Sequence, residues 1–106
     1  MSDDRGWLHG EHKTPGGKLV AVDLRVADGL LSDVQVSGDF FVYPEEAFAD
    51  LARALEGAPI EAGEAALANR VRREFRSGAE LLGSSPEGVA IAVGRALAGL
   101  PEGRHG

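Results

Sequence analysis

One short stretch holds the residues best suited to chemistry. Lys13-Thr14-Pro15-Gly16-Gly17-Lys18 places two ammonium groups on either side of a Pro-Gly-Gly step. Glycines let backbone amides approach a ligand closely, and flanking lysines supply charge for a phosphate or carboxylate. The segment lacks the G-x-x-x-x-G-K-[ST] spacing of a P-loop, so by spacing alone a turn leading into a strand is the simpler reading. His9 and His12 flank Glu11 in a glycine-bounded segment, a spacing better explained by chance than by a metal. Glu45 and Glu46 follow Pro44 at a helix start, where acids suit the positive end of the dipole. No Ser/His/Asp set stands on a recognisable nucleophile turn. The chain has no cysteine, which removes disulfides, thiolate metal sites and a cysteine nucleophile together. We therefore expect no metal site and no self-sufficient enzyme.

The elements that must position this stretch follow from periodicity. Val20, Val22, Leu24 and Val26 alternate with Leu19, Ala21, Asp23 and Arg25, the pattern of a half-buried strand over 18–26. A second strand spans 30–36, with Leu30, Val34 and Val36 on one face and Ser32 as a polar exception. For both strands to bury even-numbered residues, a three-residue loop, Ala27-Asp28-Gly29, must close Val26 against Leu30. Carried onward, that register sets Val22 against Val34, Gly17 against Asp39 and Gly16 against Phe40. The ring of Phe40 would then lie over bare glycine backbone. It also sets Asp23 against Asp33, an unfavourable pair, and Gly38 could carry a bulge. Three helices follow: one from Pro44 to Gly57, one from Ala62 to about Arg76, and one opening at Ser84-Ser85-Pro86-Glu87, where Ser84 and Glu87 have capping-box spacing. Arg72, Arg73 and Arg76 read as a solvated helix face, or less simply as a docking surface for an acidic partner.

Composition bounds the rest. At 106 residues the chain is one domain, 1–106, with its core at roughly 10–100 and loose polar termini. Its 17 acidic and 11 basic residues give a net charge of −6, which repels nucleic acid on average. No apolar run approaches the roughly 20 residues needed to cross a bilayer, and the start Met-Ser-Asp-Asp-Arg-Gly has no basic n-region or apolar h-region, so no secretion is expected. A cytoplasmic α+β protein is expected: a small antiparallel sheet packed with about three helices, needing neither nucleic acid nor membrane.

The order of motifs then becomes informative. "HKTPGGKLVAVDLRV", "DGLLSDVQVSGDFFVYPEE", "LARALEGAP" and "LLGSSPEGVAIAVGRAL" together resemble the C-terminal accessory domain of lipoate-protein ligases, which in some archaea and bacteria is a separate small subunit. The likeness spans roughly Gly10 to Leu100, and its specific parts are K-x-P-G-G-K-L-V and G-D-F-F-x-x-P-E-E. It implies a non-catalytic subunit that assists a catalytic partner in converting lipoate and ATP, with Mg, into lipoyl-AMP before an acceptor protein is lipoylated. No cofactor is expected on this chain alone. The resemblance implies Lys13, Gly16, Gly17 and Lys18 as adenylate- or partner-contacting residues, with Pro15, Asp39, Phe40 and Phe41 supporting the loop. Gly88 departs from the pattern, since a good helix former is expected there. A protein-interaction adaptor using Leu19, Ala21, Phe41 and Tyr43, or an accessory of another acyl or biotin-type ligase, is the alternative.

Overall fold

The computed structural model describes residues 6–100; the ends expected to be loose, 1–5 and 102–106, lie outside the described residues. Strands β1 (Leu8–Lys13), β2 (Leu19–Ala27) and β3 (Leu30–Gly38) form an antiparallel meander in that order. Strands β4 (Phe41–Tyr43) and β5 (Glu80–Leu82) pair separately as a short antiparallel ribbon. A 3-10 turn at Glu45–Ala47 leads into α1 (Phe48–Leu55), followed by α2 (Gly63–Glu74) and α3 (Pro86–Leu97). This is the expected α+β class, a small antiparallel sheet with three helices.

The first strand was not expected, and one glycine explains why. Leu8, Gly10 and His12 share the face of β1 that meets α3, opposite Leu24, Val22 and Val20 of β2. A Cβ at Gly10 would fall on the carbonyl oxygen of Ala92 and the amide nitrogen of Ala96. Gly10 thus interrupts the apolar pattern of the strand because α3 lies directly on its backbone there.

The β2–β3 register differs from the expected one. Ala27 pairs with Leu30 and Val26 with Leu31, so the loop has two residues, Asp28 and Gly29, at φ 55° and 77°. That is the left-handed pair of a type I′ turn, for which Asp-Gly is well suited. The shorter loop turns Leu31 inward at 1% exposure and leaves Leu30 outside at 40%. A bulge between Asp23 and Arg25 restores the alternation, with Asp33 at φ 53°, and beyond it Val22 pairs with Val36 and Val20 with Gly38. The bulge leaves two neighbouring amides outside the ladder, and the Glu56 carboxylate accepts both, from Asp33 at 2.9 Å and Val34 at 3.1 Å. The clash of Asp23 with Asp33 does not arise, because Asp23 faces Gln35.

The segment after α1 covers the start of the outer edge of β3. Leu31 N–H donates to Ala58, Gly57 N–H to Leu31 and Ile60 N–H to Gly29, each within 3.0 Å. The start of that edge, at residues 29–31, is thereby withheld from intermolecular pairing. The core lies between the inner sheet face and the helices, with Val20, Val22, Leu24, Leu31, Leu51, Leu55, Val71, Val89 and Val93 all at 1% exposure or less. Each such side chain contributes roughly 1.5–3 kcal/mol by leaving water.

Candidate functional site

The Lys13–Lys18 stretch is the loop joining β1 to β2. Lys13 pairs with Leu19 at the last rung, leaving residues 14–18 to turn the chain. Gly17 N–H donates to the Thr14 carbonyl at 2.6 Å, and Lys18 N–H donates to the Gly83 carbonyl at 2.8 Å. A Cβ on Gly17 would stand 2.8 Å from that same carbonyl oxygen, and one on Gly83 would stand 2.7 Å from Lys18 Cγ. Loop and β5–α3 connection therefore meet backbone to backbone, and side chains on either glycine would force them apart. Lys13, Pro15, Gly16 and Lys18 are exposed.

Through Gly83 the loop reaches the N-terminus of α3. Ser85, not Ser84, is the cap: its Oγ accepts from Gly88 N–H at 3.0 Å, and Pro86 takes the first helical turn. Glu87 does not complete a capping box with Ser84; it pairs with Arg72 instead. Gly88 is buried, and a Cβ there would lie 2.7 Å from Ser84 Oγ and 3.5 Å from the His12 ring, which accounts for the absence of a better helix former. His12 Nδ1 and Ser84 Oγ are both buried without a hydrogen-bond partner. Two lysines, a glycine loop and the positive end of a 12-residue helix share one corner, an arrangement that favours an anionic group at its surface. Sequence reasoning did not find His12, Gly83 or Ser84 here. The only signal was a second glycine beside "SSP", which periodicity reads as helix start alone.

The expected pairing of Gly16 and Gly17 with Phe40 and Asp39 is replaced. Asp39 N–H donates to the Leu19 carbonyl at 3.0 Å, after which the chain leaves β2. Phe40 is buried and approaches Gly83, whose Cβ position is 3.6 Å from Phe40 Cβ, so it reaches the loop through that glycine. Its ring packs on Phe48 with centroids 5.7 Å apart. Phe41 turns outward at 67% exposure and touches solvent rather than the loop.

Two ion clusters lie elsewhere. Asp50 in α1 is fully buried and accepts from Arg76 N–H at 3.1 Å, Arg76 Nε at 2.9 Å, Arg76 Nη2 at 3.0 Å and from Arg53. The Arg76 guanidinium holds this carboxyl well below the usual carboxylate range, outweighing burial, and the Arg76 amide and Arg53 act in the same direction. Arg76 keeps 45% of its side chain exposed, but it lies past the end of α2 and ties that end to α1 through Asp50. On the outer sheet face His9 donates to Asp23 and to Glu11, each at 2.7 Å, and these bonds raise its pKa, Glu11 most. His9 and His12 point to opposite faces of β1.

No family model matches the chain, and no curated protein matches it. Among solved structures it is similar to a chain from a structural analysis of an archaeal lipoylation system, a bi-partite lipoate protein ligase and its E2 lipoyl domain from Thermoplasma acidophilum. The TM-score is 0.67 at 26% identity, covering 82% of this chain and 93% of that one. The likeness therefore takes in nearly the whole of a chain of similar length, and that chain comes from a lipoylation system. No helix among the described residues is long and apolar enough to cross a membrane.

Proposed function

We propose that this chain is the accessory subunit of a two-component lipoate-protein ligase, inert alone and required with a catalytic partner for the ATP-dependent activation of lipoate to lipoyl-AMP. The observation that carries this reading is the structural likeness over 93% of a chain from an archaeal lipoylation system. That system includes both a two-part ligase and a lipoyl domain. The motifs K-x-P-G-G-K-L-V and G-D-F-F-x-x-P-E-E favour the ligase side, because they resemble the ligase accessory domain. Lys13 and Lys18, held by the Gly16-Gly17 turn, would face an acyl-adenylate phosphate or acids of the partner, and the start of α3 adds a positive potential. Pro15, Phe40 and Asp39 keep the loop in place, and the partners act in the cytoplasm.

The test is reconstitution with a catalytic lipoate-protein ligase subunit, lipoate, ATP, Mg and an acceptor domain, followed by mass spectrometry. Lipoylation of the acceptor only when both chains are present is the expected result. Full lipoylation without this chain removes the accessory role, and a lipoyl mass on this chain itself would make it an acceptor instead.

A further inference from the structure

Five large apolar side chains are exposed among the described residues, and three of them meet on the β4–β5 ribbon. Phe41 is 67% exposed, Tyr43 68% and Leu82 47%. Phe41 pairs directly with Leu82, and Tyr43 follows two residues along the same strand, so the three share the outer face while Val42 and Leu81 turn toward the core. Cross-strand partners on one face stand only about 5 Å apart, which makes this a continuous patch and not scattered exposure. Beside it opens a hollow of about 370 Å³ lined by Phe40, Phe41, Val42 and Phe48, able to take an apolar side chain from outside.

The charges around the patch are unbalanced. Glu80 pairs with Tyr43, Glu45 lines the hollow, and exposed Asp39 lies two residues before Phe41. Lys18, whose stem lies on Gly83, is at the Leu82 end. An acidic rim around an aromatic centre disfavours a second copy docking face to face, since like charges would be brought together, and suits a surface that is apolar in the middle and basic at its edge.

Resting on the accessory-subunit reading, we propose that the Phe41–Tyr43–Leu82 face is where the catalytic ligase subunit docks, through an apolar surface with a basic rim. The placement has a functional consequence. Gly83 follows Leu82 directly and carries the Lys13–Lys18 loop on its carbonyl, so a partner seated on the ribbon lies next to the two lysines.

Calorimetric titration of the purified catalytic subunit with this chain tests the proposal. Wild type should bind, and Phe41→Ala and Tyr43→Ala should each weaken Kd by about 30-fold or more, as central aromatic anchors do. Leu82→Ser probes the second strand, and Leu30→Ala, exposed elsewhere, should leave Kd unchanged. Glu80→Lys should weaken binding about fivefold, and added salt should weaken the wild-type complex, as expected for opposite charges at a rim. Circular dichroism melts should be the same for all variants. A wild-type chain that does not bind removes both the accessory reading and this face. Wild-type binding with Kd unmoved by Phe41→Ala and Tyr43→Ala overturns the face alone. A dimer of this chain that Tyr43→Ala dissolves would assign the patch to a second copy and overturn the proposal.

Discussion

The corner around Asp50 and the ribbon around Phe41 both join distant parts of the chain, and they handle their side chains in opposite ways. Asp50 is fully buried, and its carboxylate accepts four bonds from Arg76 and Arg53. Phe41 and Tyr43 are two-thirds exposed and leave large apolar surface in water. A buried charge with all its partners holds the fold together, whereas an exposed aromatic pair does nothing for the isolated chain. Substitution should therefore separate the two regions, one reporting on folding and the other on association.

The largest effect belongs to Asp50→Ala. It strips the Arg76 amide and Nε of their carboxylate, leaving the guanidinium only the Glu46 carbonyl, and chemical denaturation should show a loss of roughly 3 kcal/mol. The sign of the pH dependence follows from the lowered pKa. Because the folded value lies below the ordinary 3.8, the stabilisation is complete above that value and disappears as pH falls through the folded one. Wild type should thus keep this contribution down to about pH 4, with Asp50→Asn removing the acid dependence of this group.

A smaller effect is expected at the loop corner. Lys13→Ala with Lys18→Met, the methionine keeping the stem that lies on Gly83, should slow lipoate activation about tenfold, comparable to losing one charge-assisted hydrogen bond. The melting temperature should not move. Unchanged rates would return the lysines to the category of solvated strand ends. Next comes the ribbon: Tyr43→Ser should alter the stability of the isolated chain by less than about 0.5 kcal/mol. A loss as large as that of Asp50→Ala would erase the contrast between the two regions.

The smallest effect concerns His9, which is exposed and held by Glu11 and Asp23. Its raised pKa means that the imidazolium stabilises the fold below the ordinary value of 6.5, and that this is lost as pH rises through the folded value. Solvent screening keeps the contribution small. His9→Gln should remove a shallow slope in stability above pH 6.5 and change little else.

Much of the fold was legible because its periodicity is local. The stripes Leu51–Leu55, Leu67–Val71 and Val89–Val93 gave the helices to within a few residues, and the alternation Val20-Val22-Leu24 gave the central strand. What stayed hidden depends on residues far away in the chain. Parity demanded a three-residue loop only because the bulge at Asp33 was unforeseen, and that bulge rests on the Glu56 carboxylate after α1. Gly10 disguised β1 because its reason lies in Ala92 and Ala96 of α3. At the site, the loop itself was legible as a glycine turn flanked by lysines. Its partner was not, since Gly83 directly follows the three-residue strand β5 and meets Lys18 through backbone atoms.

The accessory role is tested most directly by running the ligase reaction from two starting points. Acceptor lipoylation by the catalytic subunit is measured with lipoate and ATP, and again with preformed lipoyl-AMP, each with and without this chain. The expected result is a strong dependence on this chain from lipoate and ATP, and a weak one from lipoyl-AMP. Equal dependence from both starting points, or none from either, would contradict a role in forming the adenylate.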